Sequence, residues 1–214
     1  MPSPVPAAPI RVVVATHNAH KVAELQRILE AALPELELLT YDGPAPVEDG
    51  DTFAANALIK ARAAAAHTGL PAIADDSGVS VDALAGAPGV DSAHYCGERD
   101  DSANLRLVLT NLGSESNRAA QFTCAAALVD PLDADADADA DGAAFEHVEL
   151  GVWPGTISLE PAGVGGFGYD PIFIPEGLSV TSAEISADEK NAISHRGRAF
   201  AALALVLASR YNRS

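Results

Sequence analysis

At 214 residues, with 30 acidic against 13 basic side chains and a formal net charge of -17 at pH 7, the chain can bury one sizeable core but offers no broad basic surface. That balance excludes a nucleic-acid polymer as partner, although a small phosphate ligand needs only local positive charge. The expected arrangement is a disordered Pro/Ala-rich leader at 1–10 and a single domain at 11–214, cytoplasmic and not membrane-bound, since no apolar run is long enough to span a bilayer.

Residues 11–15 (RVVVA) read as a buried strand, after which Val22, Leu25, Ile28, Leu29 and Leu33 recur at helical spacing. Asn18 is the expected N-cap, which puts Thr16, His17, Asn18, Ala19, His20 and Lys21 at a strand-to-helix turn where free N–H groups and the helix dipole favour an anion. His17 and His20 have no acid or thiol beside them and read as surface histidines of a helix start. Asp51 or Thr52 can cap a second helix to about Ala66, with Asn56 and Lys60 on one face.

The run Ala72-Ile73-Ala74 then stops at Asp75-Asp76-Ser77-Gly78, a strand ending in two carboxylates placed for a metal or for proton transfer. Neighbouring acids repel, and a divalent cation or a strong donor relieves them; taken alone, the same four residues could equally be a turn. A Val79/Val81 alternation, a loop at 86–89 and a helix marked by Leu105, Val108, Leu109 and Leu112 follow. Segments 121–129 and 145–152 read as strands joined by a solvated Asp-Ala loop at 133–142. Further short strands are expected at 157–159 and 171–174, with a Gly-rich segment at 163–168 between them, and a helix at about 194–210. Strands and helices mix without strict alternation, which predicts an α/β fold with a mixed sheet flanked by helices. Cys96 and Cys124 stand outside any metal-ligand spacing and read as two reduced, buried thiols.

Four polar clusters interrupt this framework: 16–21, 48–60, 75–77, and 167–170 with 190–196. The chain has three lysines, Lys21, Lys60 and Lys190, and each falls in one of these clusters. Lysine is a compact point charge suited to a phosphate oxygen. Carboxylates without accompanying thiols or well-spaced imidazoles favour Mg²⁺, so the set resembles the parts of an enzyme acting on a nucleotide phosphate. Phe167, held between glycines, offers a stacking platform for a base. The bland readings are a helix cap for 16–21, a flexible turn for 165–170 and a salt-bridged helix face for Lys190, His195 and Arg196.

Together the segments Ala15-Thr-His-Asn-Ala-His-Lys21, Glu48-Asp-Gly-Asp-Thr-Phe53 with Asn56-Ala57 and Lys60-Ala61, Ala74-Asp-Asp-Ser-Gly78, Gly86-Ala-Pro-Gly89, Gly165-Gly-Phe-Gly-Tyr-Asp-Pro171, and Glu189-Lys190 through Ser194-His-Arg-Gly197 resemble, in order and spacing, the inosine triphosphate pyrophosphatase family. The resemblance spans nearly the whole chain. It implies a long mixed sheet with two lobes around a central cleft, pairing as a homodimer, and Mg²⁺-dependent hydrolysis of non-standard purine nucleoside triphosphates (ITP, dITP, XTP) to the monophosphate and pyrophosphate. By the same resemblance residues 16–21 hold the triphosphate, Glu48 and Asp76 organise Mg²⁺, Asp76 accepts a proton from water, and Ser77 touches substrate. Phe167 stacks on the purine, Gly168, Tyr169 and Asp170 complete that wall, and Lys190, His195 and Arg196 close the pocket. The chain departs from the pattern at His20, where glycine is common, and at His94, where arginine is usual. Two other readings stay open: a phosphomonoesterase, which lacks its Asp-x-Asp spacing here, and a nucleotide-binding sensor of the same fold without turnover.

Overall fold

The computed structural model describes residues 10–16, 19–131 and 144–211. Residues 1–9 of the expected leader, the turn residues His17 and Asn18 with the predicted cap, and the Asp-Ala loop lie outside those residues, as do the side chains of Ala19 and His20; Ile10, expected in the leader, is instead the first residue of a strand.

Strand β1 (Ile10–Val14) leads into helix α1 (Ala19–Ala32) and strand β2 (Leu36–Thr40); helix α2 (Phe53–Thr68) precedes the long strand β3 (Ala72–Val81). Helix α3 (Asp101–Leu112) is followed by β4 (Ala119–Asp130) and β5 (Phe145–Ile157), then β6 (Phe173–Pro175), α4 (Ala187–Ile193) and α5 (His195–Tyr211). The strands form one six-stranded sheet in the order β2-β1-β3-β4-β5-β6. The β2–β1 and β1–β3 pairs are parallel and the remaining pairs antiparallel, which is the mixed sheet expected.

Local chemistry sets several ends. The Thr52 hydroxyl accepts from Ala55 N–H at the start of α2, and Gly69, at φ 67°, closes it by donating to the Ala65 carbonyl. The buried face of α2 is alanine (Ala57, Ala61, Ala64, Ala65) and packs on Ala72, Ala74, Ala125 and Ala127 of β3 and β4. Small residues on both surfaces let the helix lie close to the sheet, near enough for its polar side chains to reach β3. On the opposite face α1 and α5 pack on Val12, Val14, Ile73, Cys124, Ala126 and Leu128 through Leu25, Leu29, Phe200, Leu203 and Leu207. A third cluster, built on Val79, Val81, Phe122, Trp153 and Phe173, covers the far end of the sheet. Residues 75–78 lie on β3 between the first two clusters and the third.

The structure corrects several expectations. β3 does not end at the two acids but runs through them to Val81, because every residue from Ala72 to Val81 keeps a partner on β4. β1 is the strand that stops: its pairing with β3 ends at Val14↔Ile73, which leaves the β1-side edge of β3 open from there. β5 continues past 152 to Ile157, held by a ladder to β4 as far as Ala119↔Thr156, so 158–159 are not a separate strand. Residues 170–172 form a 3₁₀ turn before β6. The short helix α4 was not predicted; Ser186 and Glu189 start it with reciprocal cap bonds. Cys124 is buried and Cys96 only partly so, and neither is in a disulfide.

Where β5 passes beneath the start of α5 the sequence has Gly151. A Cβ there would lie 2.0 Å from the His195 carbonyl oxygen and 2.7 Å from Ala199 N. Gly151→Ala is therefore expected to destabilise the protein by about 1–3 kcal/mol through overpacking and to displace the His195-Arg196 turn. A thermal unfolding curve checks this; an unchanged midpoint would contradict the close approach.

Candidate active site

Adjacent residues of a strand point to opposite faces, and this decides what the two acids do. Asp75 and Ser77 face α1 and α5. Lys21 Nζ donates to Asp75 at 3.1 and 3.0 Å, Ser77 Oγ donates to Asp75 Oδ2 at 2.7 Å, and Arg196 Nε lies 3.3 Å from the same oxygen. Burial alone would raise the Asp75 carboxyl, but the charges of Lys21, Arg196 and Lys60 with the Ser77 hydroxyl outweigh it and hold Asp75 well below the usual carboxylate range. Asp75 is thus an ionised internal counter-ion. It holds Lys21 and Arg196 about one buried point.

Asp76 faces α2. Lys60 Nζ donates to Asp76 Oδ1 at 2.9 Å and to Glu48 Oε2 at 2.6 Å, while Asn56 Nδ2 lies 3.4 Å from Asp76 Oδ2. Here burial wins over the Lys60 charge and raises the Asp76 carboxyl above its ordinary value, with Glu48 adding to the rise. Burial lowers Lys60, yet Asp76, Glu48 and Asp75 together leave it raised, so the ammonium stays charged. The two carboxylates therefore do not share one site; each has its own cation on its own side of the sheet.

The opposite wall is built by the glycine-rich turn and α4. Gly166, at φ 70°, has the Asp170 carboxylate where a Cβ would sit, 2.0 Å away, which only glycine tolerates. Asp170 accepts from Phe167 N–H at 2.8 Å and from Ser182 Oγ at 2.8 Å, and pairs with Lys190 Nζ at 2.5 Å. The carboxylate is spent on shaping the turn and seating Lys190. The Phe167 ring is left beneath two cations, Lys190 Nζ at 5.2 Å and Arg196 Cζ at 5.4 Å from its centroid. Gly168 N–H donates to Asp101 Oδ2 at 2.9 Å, and Tyr169 is buried with its hydroxyl donating to the Ser92 carbonyl at 2.8 Å. His195 is stacked on Phe122, centroids 4.6 Å apart, and its burial lowers its basicity well below the usual imidazole range, so it is neutral near pH 7. Its Nδ1 has no hydrogen-bond partner among the described residues.

Between the walls is a cavity of about 860 Å³ whose lining includes Thr16, Lys21, Glu48, Lys60, Asp76, Ser77, Phe167, Gly168, Tyr169, Asp170, Lys190, His195 and Arg196. All three lysines of the chain reach it. Of the predicted residues the structure describes, every one named in this lining is brought to one place. Asp75, Asn56 and Lys60 were missing from the predicted site, although the helical spacing of Asn56 and Lys60 and the cluster membership of Lys60 were available as signals. Asp75 could not be separated from Asp76 without knowing which face each occupies. His94, the departure from the arginine pattern, accepts from Arg99 Nε at 2.9 Å, and both line the cavity, so Arg99 supplies a cation there.

Glu48 and Asp76 are the acids that could hold a metal, because both already converge on one cationic nitrogen. Two carboxylates without thiol or imidazole beside them are hard oxygen donors suited to Mg²⁺, which completes its shell with water and substrate phosphate rather than a full protein cage.

A model of the Ham1 family matches residues 12–206. A dITP/XTP pyrophosphatase of Leifsonia xyli subsp. xyli is 53% identical over 201 residues, covering 92% of this chain and 96% of its own. A dITP/XTP pyrophosphatase of Streptomyces coelicolor is 50% identical over 205 residues, covering 92% and 96%. Among solved structures, a HAM1 protein from Coxiella burnetii superposes with a TM-score of 0.79 at 41% identity over 94% of this chain and 99% of its own. A nucleoside-triphosphatase, or dITP/XTP pyrophosphatase, from Mycobacterium abscessus gives 0.70 at 46% identity over 90% and 98%.

Proposed function

The chain belongs to the Ham1 family, and on that premise we propose that it hydrolyses ITP, dITP and XTP to the monophosphate and pyrophosphate, removing them from the nucleotide pool. The observation that carries this reading is one cavity with a buried carboxylate and lysines on one wall and a cation-flanked aromatic ring on the other. The first wall suits a phosphate chain and an attacking water; the second suits a purine.

In this reading Lys21 and the start of α1 spread the charge of the phosphate oxygens, and Asp76 takes the proton of the water as the P–O link between the α and β phosphates breaks. Glu48 and Asp76 hold Mg²⁺, which supplies electrostatic stabilisation of the phosphate charge when bound. Phe167 stacks on the base, while Arg196 and Lys190, fixed by Asp75 and Asp170, present donors to a 6-oxo group. An adenine amino group would set a donor against those donors and leave buried groups unpaired, which disfavours ATP. Assembly as a homodimer in the cytoplasm belongs to the same proposal; Leu150 and Val152, exposed on one face of β5, provide apolar surface for pairing. Sedimentation as a single chain at working concentration would remove the dimer. Among the described residues no helix is long and apolar enough to cross a membrane.

The test is product analysis with Mg²⁺, comparing ITP and XTP with ATP and GTP and measuring pyrophosphate separately from orthophosphate. Pyrophosphate with IMP from ITP, and ATP spared, is the expected result; orthophosphate from monophosphates, or ITP binding without turnover, would replace the reading by the phosphatase or the sensor. Phe167→Ala is expected to raise KM about tenfold for every purine substrate, since one base–aromatic stack contributes roughly 1–3 kcal/mol. Unchanged Michaelis constants would remove Phe167 from the base wall.

A further inference from the structure

Lys60 stands where the metal reading needs space. Its Nζ lies 2.6 Å from Glu48 Oε2 and 2.9 Å from Asp76 Oδ1, the two acids read above as metal ligands. A divalent cation held by these two acids would meet, as a like charge, the ammonium at hydrogen-bond distance from both. The ammonium takes one oxygen of each acid, so the two cations compete for this pair of carboxylates.

The surroundings allow the exchange. Asn56, one turn before Lys60 on α2, accepts from Gly50 N–H through Oδ1 and reaches Asp76 with Nδ2, so it ties the Glu48 loop to Asp76 independently of the lysine. Lys60 carries its charge on a flexible four-carbon stem and lines the same cavity, so the ammonium can swing off the carboxylates without displacing α2.

We propose that Lys60 is an exchangeable internal counter-ion, holding Glu48 and Asp76 together before a divalent cation binds and turning from them toward the phosphate chain once it does. This rests on the reading of Glu48 and Asp76 as the metal ligands. It makes Lys60 a positioning residue with two opposed effects: it keeps the acids converged in the metal-free protein, and it weakens their hold on a metal when no phosphate is present to receive its charge. Metal and phosphate binding then favour each other, since each supplies the other's condition through one side chain.

The experiment is calorimetric titration of Mg²⁺ alone into the full chain, without nucleotide, alongside thermal unfolding with a chelator and with saturating Mg²⁺. Lys60→Gln is expected to bind Mg²⁺ about fivefold or more tighter than the unsubstituted protein. Its unfolding midpoint should fall with chelator and recover with Mg²⁺. Lys60→Arg, which keeps the charge, should stay within about threefold in affinity, and Glu48→Gln should lose binding at least tenfold. Loss in Glu48→Gln with equal or weaker binding in Lys60→Gln would overturn the counter-ion role alone. Equal affinity in Glu48→Gln and the unsubstituted protein would overturn the metal reading and this proposal with it.

Discussion

Asp76→Asn is expected to lower turnover by about 10²–10⁴-fold, the range a positioned general base contributes, while leaving the fold in place. Asparagine keeps the shape and can still meet Asn56 and Lys60, but it cannot accept the proton of an attacking water. The stability expectation follows from the raised carboxyl of Asp76. A group whose folded value lies above its unfolded value stabilises the fold at pH below the unfolded value, and that contribution is lost as pH rises through the folded one. At neutral pH the partly buried Asp76 charge is thus a net cost, which asparagine removes, while the partner that Lys60 loses offsets part of the gain. The unfolding midpoint should stay within a few degrees, since about 1 kcal/mol shifts a chain of this size by roughly 2–4 °C. Rate measurements beside a melting curve check both parts. Near-normal turnover would remove Asp76 from the base role, and a collapse in stability would make it a structural residue.

Asp75→Asn is expected to do the opposite, damaging the fold first. Asp75 is 3% exposed, and its removal leaves Lys21 and Arg196 without the carboxylate that both engage. Breaking a buried pair by removing one partner costs about 3–5 kcal/mol, which corresponds to a fall of roughly 6–20 °C in the unfolding midpoint. The pH dependence has the other sign from Asp76. A depressed carboxyl contributes stability at pH above its unfolded value, near 3.9, and loses it as pH falls through the folded one. The gap between the two proteins should hold steady from about pH 5 to pH 8 and narrow in stronger acid. Melting curves across that range decide it; a constant gap of a degree or less would mean that Lys21 and Arg196 are satisfied without Asp75. The two substitutions are one residue apart on the same strand, so contrasting outcomes would test the opposite-face arrangement directly.

What could be read from sequence was what short-range chemistry determines. The start of α2 at Asp51 or Thr52 was legible because a side-chain cap acts within a few residues, and Thr52 is the one that caps it. The stripe Leu25, Leu29, Leu33 marks α1 because its period belongs to the helix itself. The ordered motifs identified the family, and the placement of all three lysines in polar clusters anticipated the cavity they line. Only the tertiary structure decided that β3 runs on through its acids, because its continuation depends on β4, nearly fifty residues away in the chain, while β1 stops beside it. With that strand extended, its alternation sends Asp75 to Lys21 and Arg196 and Asp76 to Lys60 and Glu48, which turns an apparent carboxylate pair into a structural counter-ion and a candidate base. Sequence lists the charges in order; strand pairing determines which face each one occupies, and burial on that face sets its protonation.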